Sequence, residues 1–121
     1  MNFREFIKDN IVYLDGAMGT MLQARGLKSG ELPERWNITH SDTITEIHKA
    51  YFDAGSNVVC TNTFGASSLK FSEDELEQII KAALANAKAA RNSSSSKKEK
   101  FLPFKNISLY LIIIVLFIFL S

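Results

Sequence analysis

The sequence is poor in the residues that form crosslinks and metal clusters. Its 121 residues include one cysteine, Cys60, and two histidines. A single cysteine excludes an internal disulfide and a cluster of several thiolates within this chain, and it is compatible with a reducing compartment. The first residues mix charged and apolar side chains, and no long apolar stretch follows them, so the N-terminus does not resemble a signal peptide. These absences favour a cytoplasmic location.

The sequence also lacks a basic surface of the kind that binds nucleic acids. Residues 1–91 carry ten Lys and Arg against twelve Asp and Glu. The basic residues form no stripe interleaved with aromatic side chains, so we expect no nucleic-acid binding. The sequence GAMGT at residues 16–20 has two glycines but lacks the ending and the spacing of a phosphate-binding loop.

Two short apolar stretches, each followed by polar residues and glycine, organise the rest of the chain. Residues 11–14 and 57–61 are rich in β-branched side chains and predict two buried strands. Asp15 and Gly16 follow the first strand, and residues 62–65 follow the second. Helical patterns lie between and after these strands. This order predicts an α/β fold built from βα repeats with parallel strands.

Caps and apolar spacing mark the helices. The predicted helical segments are a short first helix capped by Asn2, a helix or turn between Asp15 and Gly26, a helix from Ser41 to Gly55, and a long helix over residues 73–91. Residues 27–40 have no sustained period and contain glycine and proline. We interpret them as a loop that packs Leu32, Trp36 and Ile38 against the body of the protein.

Three polar or reactive residues lie where function could reside. Ligand chemistry in α/β folds collects at the C-terminal ends of strands, so Asp15 is a candidate ligand-binding carboxylate. Alternatively, Asp15 is the N-cap of a helix that starts near Ala17. His48 lies within an apolar helix face, and we interpret it as a hydrogen-bonded core residue rather than a ligand. We interpret Cys60, in the second strand, as a small core residue.

Three motifs resemble one known family. They are LDGAMGTMLQARG at residues 14–26, IHKAYFDAG at residues 47–55 and TNTFGA at residues 61–66. In order and spacing they are similar to the N-terminal part of homocysteine S-methyltransferases, especially the homocysteine-binding module of cobalamin-dependent methionine synthase. The resemblance covers about residues 3–91 and extends at most to Lys100. It implies a (β/α)₈ TIM barrel, of which this chain holds the first two βα units.

The resemblance implies a substrate site. By this correspondence, Asp15 pairs with the amino group of homocysteine, while Gly16 and Ala17 allow main-chain N–H groups to approach its carboxylate. A helix N-terminus at this point favours an anion independently of the family. Thr61 and Asn62 line the same mouth by resemblance, although both residue types are also common in turns.

The resemblance also implies cofactors that this chain does not bind by itself. In the family, zinc holds the homocysteine thiol as a thiolate, which attacks a methyl group carried by methylcobalamin, a methylated amine or a sulfonium. The three cysteine ligands of that zinc come from later barrel strands, and Cys60 matches none of them. We therefore expect no catalytic or metal-binding residue in this chain, and its motifs do not identify the methyl donor.

The composition changes abruptly after residue 91. We interpret residues 1–91 as a partial homocysteine-binding domain and residues 92–100, rich in Ser and Lys, as a solvated or locally disordered linker. Residues 101–121 match no family element that we identify, and residues 107–120 are almost entirely apolar. We interpret this tail as frameshifted or truncated sequence. The competing interpretation is a hydrophobic C-terminal helix of marginal length to cross a membrane.

These observations lead to two functional hypotheses. The first is a truncated homocysteine S-methyltransferase of methionine biosynthesis, cytoplasmic, and inactive alone because the zinc site is missing. The second is a small membrane protein, anchored through residues 107–120, whose soluble part is an interaction module. A third, a fragment that docks on a separately encoded remainder of the barrel, has support only from the open edges expected of two parallel strands.

Overall fold

The computed structural model describes residues 2–101 of the chain. Within these residues the chain forms five α-helices and one 3₁₀ turn. In chain order the helices are α1 (Phe3–Asp9), α2 (Gly19–Ala24), α3 (Trp36–Thr39), α4 (Ser41–Asp53) and α5 (Glu73–Ser93), and the 3₁₀ turn is Pro33–Arg35. The predicted helices are therefore present, and α5 matches its predicted range within two residues.

Parallel bridges take the place of the two predicted strands. Leu14 pairs in parallel with Val58, and Val58 pairs in parallel with Phe101. Among residues 2–101 no longer strand is formed, so residues 11–14 and 57–61 are each reduced to one bridged residue. Parallel strands are usually supported by neighbours on both sides, and Leu14 has such a neighbour on one side only in the described part of the chain.

Main-chain hydrogen bonds fix the order of these three segments. The N–H of Asp15 donates to the carbonyl of Val58 at 3.0 Å, and the N–H of Phe101 donates to the carbonyl of Asn57 at 2.7 Å. Phe101, which the sequence interpretation placed at the start of an unrelated tail, therefore lies in the packed body as the next parallel segment. Its ring also contacts Phe6, with centroids 5.3 Å apart.

The helix ends follow from local chemistry. Asn2 and Glu5 form the predicted capping box at α1, with the Glu5 N–H donating to Asn2 Oδ1 at 2.9 Å. Ser72 caps α5 by accepting from the N–H of Glu75. Gly55 ends α4 with a φ of 111°, in the left-handed region that glycine enters without strain.

The core consists of two clusters joined by one aromatic side chain. One cluster contains Leu22, Trp36, Ile44 and Ile47, and the other contains Phe52, Val59, Ala87 and Ala90. Tyr51 packs against both of them. Helix α4 therefore packs apolar side chains against α2 and α3 in one cluster and against α5 in the other.

The segment over residues 27–40 is more regular than predicted. It contains the 3₁₀ turn and α3, because Pro33 starts a turn at a position where its missing N–H is not needed. Trp36 is buried as predicted and stacks on His40 with ring centroids 3.8 Å apart. The prediction for Ile38 was wrong, because this side chain is 45% exposed.

The Ser- and Lys-rich residues 92–100 are held against the body rather than free in solvent. The carboxylate of Asp53 accepts hydrogen bonds from Ser94 Oγ at 2.7 Å and from the N–H of Ser95 at 2.8 Å. Farther on, Asn57 Nδ2 donates to the carbonyl of Glu99 at 2.8 Å. Polar groups at and just after the end of α4 therefore bind this segment, while most of its residues remain exposed to solvent.

Among residues 2–101 the structure contains no helix with the length and apolar character that membrane crossing requires. The predicted hydrophobic C-terminal helix, including residues 107–120, lies outside the described residues.

Candidate functional site

Asp15 lies immediately after the bridged residue Leu14, at the end of the first parallel segment. Its Oδ2 accepts the main-chain N–H of Cys60 at 2.9 Å, and the thiol of Cys60 also hydrogen-bonds the carboxyl. Helix α2 begins only at Gly19, with Met18 as an N-cap that makes no side-chain bond. The alternative interpretation of Asp15 as a helix cap was therefore wrong.

Burial makes the charged form of Asp15 unfavourable. Removal from water raises the pKa of this carboxyl to about 6, although the hydrogen bonds from Cys60 oppose the shift. A carboxyl with such a pKa is largely ionised at neutral pH, yet it lacks the solvation that usually stabilises the charge. A cationic group placed beside it would stabilise the ionised form and lower the pKa.

Gly16 and Ala17 form an exposed turn under the ring of Tyr51. Tyr51 Oη donates to the carbonyl of Ala17 at 2.8 Å. A Cβ on Gly16 would lie 3.0 Å from that oxygen and 3.1 Å from Cε1 of the same ring. Within residues 2–101, the main-chain N–H groups of Gly16 and Ala17 have no hydrogen-bond partner. The turn therefore presents two donors beside a carboxylate.

Thr61 and Asn62 follow the second parallel segment, and both make contacts within the protein. Asn62 is buried, and its Nδ2 donates to the carbonyl of Pro33 at 2.8 Å. Thr61 is half-buried, and its hydroxyl shares a hydrogen bond of 2.9 Å with the hydroxyl of Thr63. These bonds fit the turn-forming alternative, and the proximity of Thr61 to Cys60 in sequence keeps it near Asp15.

A buried acidic residue that sequence reasoning missed holds the loop after the second segment. Glu34 is 4% exposed, and its Oε1 accepts the N–H of Gly65 at 2.8 Å. Asn37 Nδ2 donates to the carbonyl of Asn62 at 2.7 Å, and Asn86 Nδ2 on α5 donates to the carbonyl of Asn37 at 2.9 Å. A chain of polar side chains thus ties this loop to α3 and α5.

The signal for this network was weak in the sequence. Glu34 follows a proline in a segment without helical or strand periodicity, where an acidic side chain is usually solvated. Glu34 Oε2 and Asn37 Oδ1 are buried and have no hydrogen-bond partner in the part of the chain that the structure describes. Only the three-dimensional placement distinguishes these residues from ordinary loop residues.

His48 and Cys60 differ from their predicted environments. His48 is buried as predicted, but neither ring nitrogen has a hydrogen-bond partner among the described residues, and burial lowers its pKa to about 4. Cys60 is half-buried and contacts Asp15, so it is more than a core filler. Across residues 2–101, no three His, Cys, Asp or Glu side chains come together as a metal site.

Comparisons with known proteins converge on one family. A family model described as homocysteine S-methyltransferase matches residues 12–116. The matched residues continue past residue 101, into the segment that sequence interpretation left outside the family. The methionine synthase of Mycobacterium tuberculosis is 39% identical to this chain in an alignment 71 residues long, which covers 52% of the chain and 6% of that protein.

Solved structures show the same likeness in three dimensions. The homocysteine methyltransferase MmuM from Escherichia coli, in its metallated form, superposes with a TM-score of 0.71 at 21% identity, over 90% of this chain and 43% of that chain. Its oxidized form gives a TM-score of 0.66 at 26% identity, over 74% and 34%. The present chain therefore spans less than half the length of each of these proteins.

Proposed function

The chain belongs to the homocysteine S-methyltransferase family, and we propose that residues 15–17 form the amino-acid-binding side of a homocysteine site. The observation that carries the proposal is the half-buried carboxyl of Asp15, followed by two main-chain N–H groups that have no hydrogen-bond partner among residues 2–101. Homocysteine carries an ammonium and a carboxylate on one carbon. Asp15 supplies an acceptor for the ammonium, and the two residues that follow it supply N–H donors for the carboxylate.

The energetics favour an ammonium next to Asp15. The ionised carboxyl is held by Cys60 but is poorly solvated, so a ligand ammonium would replace water as its counter-charge. The exposed N–H groups of Gly16 and Ala17 would then donate to the ligand carboxylate without displacing a bond within the described chain. We place Thr61 at the margin of this site and assign Asn62 to supporting the loop, because its side chain is occupied by Pro33.

The reaction proposed for the whole enzyme is methyl transfer to the homocysteine sulfur. The thiol loses its proton, the sulfur forms a bond to the methyl carbon, and the bond from that carbon to its donor breaks with the electron pair remaining on the donor. Zinc would favour the thiolate when bound. The donor set of residues 2–101 does not fit zinc, since no three ligating side chains converge there.

We therefore propose that this chain contributes substrate binding and that methyl transfer requires further barrel segments. Cobalamin enters the proposal only through the similarity to methionine synthase. An assay of the purified chain with homocysteine, zinc and a methyl donor, either methylcobalamin or a methylated sulfonium, tests this division. We expect amino-acid binding without turnover, and methionine formation by the chain alone would contradict it.

Calorimetric titration tests the binding proposal at the carboxyl. The full chain is titrated with homocysteine and with 4-mercaptobutanoate, which lacks the amino group. Loss of a charge-assisted bond predicts roughly 10- to 100-fold weaker binding of the second ligand. The Asp15→Asn variant should bind homocysteine about as weakly as the natural chain binds 4-mercaptobutanoate. Its affinities for the two ligands should differ little. The exposed residue Asp9 provides the control, since Asp9→Asn should bind both ligands like the natural chain.

Equal affinity of the natural chain for homocysteine and 4-mercaptobutanoate would contradict a role for Asp15 in binding the ammonium. So would an Asp15→Asn variant that retains the full preference for homocysteine.

A further inference from the structure

Tyr51 is fixed on α4 by contacts at both sides of its ring. It packs against the cluster that contains Leu22 and Ile47 and against the cluster that contains Phe52 and Val59. Its side chain is only partly buried, so the far end of the ring reaches the surface where residues 15–17 lie. The position of the hydroxyl is thus set by the core rather than by a flexible loop.

The hydroxyl makes one bond, and it joins elements far apart in sequence. Tyr51 Oη donates to the carbonyl of Ala17 at 2.8 Å, across 34 residues of chain. Burial and, secondarily, the charge of Asp15 raise the pKa of Tyr51, so the hydroxyl stays protonated and remains a donor. No other described residue donates to that carbonyl.

The fit around Gly16 is close. A Cβ there would lie 3.0 Å from Tyr51 Oη, a distance that forces one of the two groups to move. Gly19, four residues beyond Asp15, has nothing within 4 Å of an added Cβ. The ring therefore contacts the segment that carries the N–H groups of Gly16 and Ala17, and not the start of α2.

We propose that Tyr51 is a positioning residue of this site, whose hydroxyl holds the turn of residues 15–17 in the conformation that binds the amino acid. The proposal rests on the proposed function of these residues. Without the bond, the peptide between Ala17 and Met18 can rotate, and the directions of the preceding N–H groups are no longer fixed. Tyrosine is needed because phenylalanine would keep the packing but not the bond.

The matched pair of variants is Tyr51→Phe and Tyr13→Phe in the full chain. Each removes one phenolic hydroxyl, but Tyr13 is 52% exposed, and its hydroxyl makes no hydrogen bond with residues 2–101. Homocysteine affinity is measured by calorimetry at a temperature where circular dichroism shows each protein fully folded. We expect Kd to rise about three- to tenfold for Tyr51→Phe, as for loss of one hydrogen bond, and to stay unchanged for Tyr13→Phe.

A second pair separates positioning from general stability. Gly16→Ala should weaken binding in the natural background by displacing the hydroxyl. In the Tyr51→Phe background the hydroxyl is absent, but the ring carbon 3.1 Å from the added Cβ remains, so the effect should be smaller without vanishing. The ¹⁵N order parameters of Gly16 and Ala17, measured without ligand, should fall in Tyr51→Phe and not in Tyr13→Phe.

The outcomes distinguish the two proposals. If the natural chain binds homocysteine and Tyr51→Phe binds it equally well, with unchanged order parameters at Gly16 and Ala17, positioning by Tyr51 is contradicted and the site remains. If the natural chain does not prefer homocysteine to 4-mercaptobutanoate, the proposed function fails first, and positioning by Tyr51 fails with it.

Discussion

The main-chain N–H of Cys60 donates to the carboxylate of Asp15 at 2.9 Å, across 45 residues of sequence. This bond joins the ends of the first two parallel segments, and it places an acidic side chain where both segments finish. The carboxyl is buried enough to have a pKa of about 6, and it lies next to the turn that Tyr51 holds. Several measurable consequences arise from this arrangement.

Asp15 and His48 should have opposite effects on stability in acid. The folded-state pKa of Asp15 is raised, so its contribution to stability is fully present below about pH 4 and is lost as pH rises through about 6. The pKa of His48 is lowered by burial, so its contribution is present above about pH 6.5 and is lost as pH falls toward about 4. The two effects partly cancel between pH 4 and 6.

The Asp15→Asn variant removes one of these opposing effects. We expect the free energy of unfolding, measured in urea at pH 4.5, 5.5 and 7, to fall more steeply on acidification than it does for the natural chain. Asp9→Asn, at an exposed position, should leave the slope unchanged. A slope in Asp15→Asn equal to that of the natural chain would mean that Asp15 is solvated in the folded state.

Gly65→Ala should destabilise the protein through Glu34. The added Cβ would lie 2.5 Å from Glu34 Oε1, so the bond between this oxygen and the Gly65 N–H must lengthen or break. Crowding of this kind in a packed region costs about 1–3 kcal/mol.

Gly19→Ala is the matched control. Its Cβ has open space at the start of α2, and alanine favours a helix, so we expect unchanged or slightly increased stability in thermal unfolding. Equal stability of the two variants would contradict the close fit at Gly65.

Asp53→Ala should release the segment that leads to Phe101. Hydrogen bonds from Lys49, then Ser94 and the N–H of Ser95, lower the pKa of Asp53, so its carboxylate holds the segment over most of the pH range. We expect trypsin to cleave at Lys97, Lys98 and Lys100 several-fold faster in Asp53→Ala than in the natural chain. Asp42→Ala, in the first turn of the same helix, is the control. Equal cleavage rates in all three proteins would show that Asp53 does not hold this segment.

The features that the sequence predicted are those set by neighbouring residues. The caps at Asn2 and Ser72 act within three residues, and both are present in the structure. The apolar spacing of α4 correctly identified His48 as buried. Such features depend on local geometry, which one sequence contains in full.

The features that the sequence did not predict depend on contacts between distant segments. Glu34 resembles a solvated loop residue until the fold brings Gly65 to it. Tyr51 resembles a core aromatic, and its hydroxyl gains importance only because Ala17 lies opposite. Phe101 looked unrelated to the family because its pairing with Val58 spans 43 residues and leaves no local pattern. The motif around Asp15 indicated a ligand site, and the comparisons established the family.

The central claim is that Asp15 binds the ammonium of homocysteine. The most direct test is the pH titration of the Asp15 carboxyl itself. The carboxyl carbon of Asp15 is followed by NMR in the ¹³C-aspartate-labelled chain between pH 3 and 8, with and without saturating homocysteine. The account predicts a midpoint near 6 without ligand, and a midpoint at least about one unit lower with homocysteine, because an ammonium stabilises the carboxylate. A midpoint that is unchanged or higher with homocysteine bound would contradict the account.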